Sequence, residues 1–312
     1  MSWRRCMSRT VPEALLKQRL LQGAQVAKVV ATSPAILGCS VEQNLKPTVQ
    51  WLLGLGLSKT QIAKVTAIYP TILGLRIEKH LTLTVHWLLD LGLSKAQVAK
   101  AVTTSPSILW GSLDQNLKPT VQWLLDLGLS KMQVAKTVST CPAILGCSLE
   151  QNLKPTVQWL LDLGLSKTEI AKAVATTSPI LGYCIEQNLK PTVQWLLDLS
   201  LSEAQVAKAV TAHPAILGYS IERNLKPTVQ WLLDLGLNNT QVSKAVATCP
   251  ATLGYSIERN LKPTVEWLLN LGLSKSRIAK AVASKPNILG YSIEQNLKLL
   301  DMGLSNSEVT TA

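Results

Sequence analysis

The chain contains no phenylalanine, only three histidines and no long uninterrupted run of apolar residues. No apolar stretch approaches the ~20 residues that a membrane-spanning helix needs, so we expect no membrane partner. The six cysteines show neither a CxxC pair nor metal-ligand spacing, which argues against a zinc site and against a disulfide framework. The histidines form no HExxH motif and no nucleophile–base set. We therefore expect no enzyme activity, no cofactor and no metal.

Acidic residues are also scarce, because 19 Asp and Glu face 31 Lys and Arg, which gives a net charge of +12. Such an excess suits a polyanionic partner, although any solvated surface also needs charge. Residues 1–11 contain Arg and Ser but no acidic residue. This composition is typical of an organelle transit peptide, and the alternative is a frayed N-terminus.

The chain does contain an internal repeat. Seven tryptophans follow one another at intervals of 36 residues, and the sequence around them recurs with few changes: Trp51, Trp87, Trp123, Trp159, Trp195, Trp231 and Trp267. A fixed period of this length predicts an array of small units, none of which can bury its apolar face alone. We expect about eight such copies.

Each copy contains signals for two helices. Helix B begins at a capping box such as Ser58–Gln61 and is expected to run about ten residues, ending before Pro70. Helix A precedes it, as in 120–127, and is apolar nearly all round, which predicts burial between copies. Gly128 is expected to close helix A in a left-handed conformation. Ser200 replaces this glycine in one copy, at a predicted cost of about 1 kcal/mol if the conformation is kept.

A third, shorter segment connects helix B to the next helix A. Pro and Gly punctuate the stretch 214–226, which predicts a turn followed by a short 3₁₀ or α segment that starts near Ser220. Pro227 then either opens helix A or kinks a longer helix that begins at Ser220. No strand pattern competes, so the predicted fold is all-α, an α-solenoid of 36-residue repeats.

The repeat resembles that of the mitochondrial transcription termination factor (mTERF) family. The resemblance rests on the Leu-Gly-Leu-Ser turn, the apolar pair on the following helix, the Pro-x-x-Leu motif and the Lys-Pro before Trp-Leu-Leu, and it covers residues 12–305. Residues 306–312 would be a tail. The resemblance implies a helical superhelix in mitochondria or plastids that binds nucleic acid through a basic groove. It also implies a role in transcription, its termination, RNA processing or ribosome assembly.

Basic residues at fixed repeat positions are the candidate nucleic-acid ligands. Helix B carries one Lys two residues after its first apolar residue, about 200° round the helix and so away from the core: Lys28, Lys64, Lys100, Lys136, Lys172, Lys208, Lys244 and Lys280. A second row stands at the position before the proline: Lys46, Lys118, Lys154, Lys190, Lys226, Lys262 and Lys298, the last of which is followed by Leu299 instead. A third follows the capping serine: Lys59, Lys95, Lys131, Lys167 and Lys275. Arg223 and Arg259 add guanidinium forks that suit phosphate or guanine.

Several alternatives stay open at this level. The tryptophans could stack on bases, but we expect them to be core. Aspartates that precede the Leu-Gly turn could balance a lysine of the next copy: Asp90, Asp126, Asp162, Asp198 and Asp234. The partner could be double-stranded DNA or RNA, bound by a monomer. Alternatively, the array could be a protein-binding scaffold without nucleic-acid binding.

Overall fold

A computed structural model shows the chain as a succession of short helices, and it describes residues 29–290. Two compact units divide the chain, residues 1–153 and 154–312. Within the described residues no strand occurs. The predicted transit segment, Lys28, Lys298 and the predicted tail lie outside the described residues.

Each copy contributes two α-helices. In the first unit these are α1 (Lys46–Gly54), α2 (Lys59–Ile68), α3 (Thr82–Asp90), α4 (Lys95–Thr104), α5 (Lys118–Asp126) and α6 (Lys131–Thr140). In the second unit they are α7 (Lys154–Asp162), α8 (Lys167–Thr176), α9 (Lys190–Asp198), α10 (Glu203–Ala212), α11 (Lys226–Leu235), α12 (Asn239–Thr248), α13 (Lys262–Asn270) and α14 (Lys275–Ser284). The odd-numbered helices are the predicted helices A and the even-numbered helices are the predicted helices B.

Two shorter turns connect the copies. One 3₁₀ turn, Pro34–Gly38, precedes α1. Another follows each even-numbered helix: Pro70–Gly74, Pro106–Leu109, Pro142–Gly146, Ser178–Gly182, Pro214–Gly218, Pro250–Gly254 and Pro286–Gly290. A π-helical turn then leads into the next odd-numbered helix: Val41–Leu45, Ile77–Leu81, Leu113–Leu117, Leu149–Leu153, Ile185–Leu189, Ile221–Leu225 and Ile257–Leu261.

The π turn is where the structure differs from the sequence-based expectation of a 3₁₀ or α segment. In the Ser220 copy, the backbone N–H of Leu225 donates to the carbonyl of Ser220, and that of Lys226 to Ile221, both five residues back. The turn continues directly into α11, so Pro227 lies inside one continuous helix rather than opening it. The same π turn precedes Leu83, so the proline is accommodated by this geometry and does not cause it.

The caps at both ends of the helices follow the sequence signals. Capping boxes, each with its two reciprocal hydrogen bonds, start α2, α4, α6, α8, α10 and α12. In α14 Ser274 accepts from the backbone of Arg277 without the return bond. At the end of α5, Gly128 has φ +106°. Its N–H donates to the Leu125 carbonyl and the N–H of Leu129 to Leu124, which is a Schellman motif.

Ser200 adopts the same left-handed conformation, with φ +70°, and closes α9 with the same pair of hydrogen bonds. The next copy contacts this helix end, because the Ser243 hydroxyl of α12 donates to the Leu199 carbonyl at 2.6 Å. At this position of helix B, α2, α4, α6, α8, α10 and α14 carry alanine.

We predict that Ser200→Gly stabilises the chain by about 1 kcal/mol, since glycine adopts positive φ without a Cβ penalty. Urea denaturation checks this value. Gly164, with φ +97°, provides the matched control, because Gly164→Ser should cost a similar amount. A Ser200→Gly variant no more stable than the parent contradicts the account.

The core runs between the two layers of helices. Val98, Ala101 and Val102 of α4 are fully buried, and so is Leu124 of α5. Within each unit, neighbouring even-numbered helices pack directly on one another: α2 on α4 and α4 on α6, then α8 on α10, α10 on α12 and α12 on α14. Small residues such as Ala99 and Ala135 allow this close approach.

A second close contact joins neighbouring copies in the second unit. The Tyr183 hydroxyl lies against the Cα of Gly218, Tyr219 against Gly254, and Tyr255 against Gly290, so tightly that a Cβ has no room at these glycines. His213 Nε2 lies 2.7 Å from the Tyr219 hydroxyl and holds that ring in place. Burial lowers the pKa of His213, while burial and the neighbouring Tyr183 raise the pKa of Tyr219.

Candidate nucleic-acid interface

The helix-B lysine row is exposed, as its position on the helix predicts. In α4, Lys100 lies between buried Ala99 and Ala101, with buried Val98 and Val102 on the opposite face. Every described member of the row is exposed: Lys64, Lys100, Lys136, Lys172, Lys208, Lys244 and Lys280. From Lys64 to Lys280 none of them has a carboxylate within ion-pair distance. The Ser166 hydrogen bonds lower the pKa of Glu169, and Lys172 adds a smaller effect in the same direction.

Charge is segregated between the two kinds of helix. The seven described even-numbered helices contain 12 Lys and one Arg against two Glu, a net charge of +11. The seven odd-numbered helices contain six Lys against five Asp and one Glu, a net charge of zero. The positive charge of the described part therefore lies on the even-numbered helices, where a polyanion would be attracted.

The lysines before the prolines are placed differently, because each of five donates to a carboxylate one turn earlier. The Nζ–O distances are 2.5 Å for Lys46–Glu42, 2.7 Å for Lys118–Asp114, 2.5 Å for Lys190–Glu186, 2.6 Å for Lys226–Glu222 and 2.5 Å for Lys262–Glu258. The recurring glutamates thus neutralise this row. Such exposed pairs contribute little to stability, but they leave the second row with little net attraction for phosphate.

Arg223 and Arg259 occupy equivalent positions in successive π turns of the second unit. Each backbone N–H donates to the capping serine, at 3.2 Å in both copies, and each side chain is exposed. Their guanidinium groups have no carboxylate within 4 Å in the described residues, whereas the lysines three residues later do. They are therefore free to bind a planar acceptor.

The tryptophans pack against the core as expected, but the core does not enclose them completely. All seven are half-buried. Four of them open onto clefts between successive odd-numbered helices, as Trp159 does beside Pro191 and Gln194. The predicted all-round burial of helix A is therefore wrong on one side, where Leu53, Leu89 and Leu269 are 41%, 37% and 42% exposed. Lys95 and Lys275, at the starts of even-numbered helices, line two of the clefts.

The aspartates before the Leu-Gly turn also behave differently from expectation. Asp126, Asp162, Asp198 and Asp234 each accept from the glutamine one turn earlier in the same helix, at 2.8–2.9 Å. Within the part of the chain that the structure describes, no lysine of a neighbouring copy lies within 4 Å of them. The hypothesis that they balance the next copy is not supported by these contacts.

The reactive side chains of the described residues are dispersed. The described cysteines are free thiols. Burial raises the pKa of Cys39, Cys141 and Cys147, which disfavours the nucleophilic thiolate. Between residues 29 and 290 no group of three His, Cys, Asp or Glu side chains could hold a metal. Over the same residues, each helix is too short or too polar to cross a membrane.

These elements define the class of protein, an all-α solenoid built from 36-residue helical repeats. The family model for mTERF matches residues 14–299, nearly the whole chain, and the chain belongs to the mTERF family. A search of curated proteins found no match.

Proposed function

We propose that the chain binds double-stranded DNA or RNA in an organelle and regulates transcription, including its termination. The observation that carries the proposal is the segregation of charge, +11 on the even-numbered helices against zero on the odd-numbered ones. Membership of the mTERF family supports the same conclusion.

The helix-B lysines bind the phosphate backbone. A row of ammonium groups neutralises phosphates without reading bases, so binding is mainly non-specific and falls as salt rises. Arg223 and Arg259 are the residues best suited to a base contact, because a guanidinium can bind guanine in the major groove through two hydrogen bonds. We assign the near-neutral second row (Lys118, Lys154, Lys190, Lys226 and Lys262) a minor part.

We propose a mitochondrial location, with plastids as the alternative, and a chain that acts as a monomer. Family membership supports an organelle. The composition of residues 1–11, rich in Arg and Ser without an acidic residue, is that of a transit peptide. Family membership also supports a binding role rather than a catalytic one.

Salt dependence tests the proposal. If the seven described helix-B lysines each neutralise one phosphate, the logarithm of the affinity for a 30-base-pair duplex falls with the logarithm of salt at a slope of about −6. Fluorescence anisotropy between 50 and 300 mM KCl measures this slope, with single-stranded DNA and duplex RNA as parallel probes. An affinity that does not change with ionic strength, or no binding at 50 mM KCl, contradicts the proposal.

A further inference from the structure

The even-numbered helices combine direct packing with a high positive charge. Within each unit they pack on one another, α2 on α4 and α4 on α6, then α8 on α10, α10 on α12 and α12 on α14. They hold a net charge of +11, whereas the odd-numbered helices hold none. Successive odd-numbered helices pack less closely and leave clefts of about 270 to about 440 Å³ between them. In each unit the more closely packed layer is therefore the charged one.

The helix-B lysines supply seven of these charges, one at the same place on each even-numbered helix. All seven are exposed, and none has a carboxylate within 4 Å among residues 29–290. Neither glutamate of these helices pairs with the row. Glu169 accepts from the backbone N–H of Ser166 at the start of α8, and Glu203 is the first residue of α10. Because packed helices stand 8–10 Å apart, the ammonium groups of one unit follow one another at a step of about 10 Å.

Like charges at this spacing repel one another across each junction between copies. The Debye length is about 8 Å at physiological salt and about 30 Å at 10 mM salt. Each lysine is therefore partly screened from its neighbours at physiological salt, whereas at low salt it also interacts with lysines more than one copy away in its unit. The repulsion opposes the apolar contacts between helices, such as those of the fully buried Val98 and Val102. These junctions matter for stability, because each copy of a repeat array contacts only its neighbours.

The lysines of the odd-numbered helices create no comparable repulsion. Lys190, Lys226 and Lys262 each donate to a glutamate one turn earlier, at 2.5–2.6 Å, so each pair has no net charge. They also stand in the layer that packs less closely. Repulsion between copies is therefore concentrated on the even-numbered helices, and removing the same number of lysines from the two layers should have different effects.

We propose that this repulsion loosens the packing of the even-numbered helices in the free chain, and that a chain of phosphates bound along the helix-B lysines tightens it. The ligand is defined by its chemistry, a linear series of phosphates, which a nucleic-acid backbone and inorganic polyphosphate share. Its charges replace repulsion between copies with attraction to one common ligand. The nucleic-acid case rests on the proposed function, whereas the repulsion in the free chain does not.

The thermal midpoint of the free chain tests the repulsion. Raising KCl from about 10 to about 300 mM shortens the Debye length and should raise the midpoint, followed by circular dichroism, by about 3 °C. Lys172→Gln combined with Lys208→Gln and Lys244→Gln should raise the midpoint at the lower salt concentration by a similar amount. This variant should also be less sensitive to salt. Glutamine keeps a high helix propensity, so the variant is expected to fold.

The matched control is Lys190→Gln combined with Lys226→Gln and Lys262→Gln. It lowers the net charge of the chain equally but takes its lysines from ion pairs, so its midpoint at low salt should not rise. Hydrogen exchange in the full-length chain gives a local measurement. Saturating inorganic polyphosphate should slow exchange in α10 and α12 by a larger factor than in α9 and α11. Orthophosphate at the same phosphate concentration should have less effect, because it does not link the copies.

Three results would overturn the inference. The first is a midpoint of the free chain that does not rise with KCl. The second is an equal rise in the two triple variants, which would make the effect one of net charge alone. The third is equal slowing of exchange in both kinds of helix.

The same measurements separate this inference from the proposed function. A duplex that binds with the expected salt slope, to a chain whose midpoint does not respond to salt, leaves the proposed function standing and removes the inference. A chain that salt and polyphosphate stabilise, but that binds neither duplex DNA nor RNA, supports the inference and contradicts the proposed function.

Discussion

Replacing Lys172, Lys208 and Lys244 with glutamine is expected to weaken duplex binding several hundredfold at 0.1 M salt. Each phosphate contact contributes about 0.9 to the slope of log affinity against log salt, so three lost contacts reduce the slope by about 2.7. The side chains are exposed and make no ion pair with any residue between 29 and 290, and glutamine is a good helix former. The helices should therefore remain folded, which circular dichroism checks before the affinity is measured.

The matched control is the triple variant Lys190→Gln, Lys226→Gln and Lys262→Gln. It removes the same number of positive charges from the same unit. Each of these lysines already donates to a glutamate at 2.5–2.6 Å, so we expect a loss of tenfold or less. Equal losses in the two triple variants would show that the ion pairs open on binding, and the distinction between the two rows would then be wrong.

The local structure of the copies was predictable because each signal acts within a few residues. The capping box at Ser58, the left-handed residue at Gly128 and the exposure of Lys100 all follow from helix geometry. The left-handed conformation of Ser200, at a position where other copies carry glycine, was predictable for the same reason. The hydrogen bonds that close α9 set the backbone conformation there.

Features that depend on neighbouring copies were harder to predict. The exposure of Trp159 depends on how far apart successive odd-numbered helices stand, and a repeat pattern does not contain that distance. The Lys190–Glu186 pair, at 2.5 Å, forms across the junction where the π turn runs directly into α9, and the sequence left that continuity open. Summing charge over each helix separately would have revealed the segregation of charge, once the two kinds of helix were distinguished.

The contact between Tyr219 and Gly254 is also a contact between copies, and Gly254→Ala is expected to destabilise the chain by about 1–3 kcal/mol through overpacking. A Cβ at this position would overlap the tyrosine hydroxyl, and even the ring carbon Cε2 would lie only 2.8 Å away. The ring cannot turn aside freely, because its hydroxyl is hydrogen-bonded to His213 at 2.7 Å. Urea denaturation of the full chain measures the loss.

Gly182 is the matched control, because it occupies the same place in an earlier copy and a Cβ added there would meet nothing within 4 Å. Gly182→Ala should be neutral or should stabilise by up to about 1 kcal/mol, since alanine restricts the unfolded chain. Tyr219→Cys should rescue Gly254→Ala, because Cys39 occupies the tyrosine position against Gly74 with its sulfur at an ordinary 3.4 Å from a Cβ. If Gly182→Ala and Gly254→Ala lose equal stability, the loss comes from the backbone conformation of glycine at this position and not from the tyrosine contact. If only Gly254→Ala does, the aromatic side chain determines how closely one repeat can approach the next.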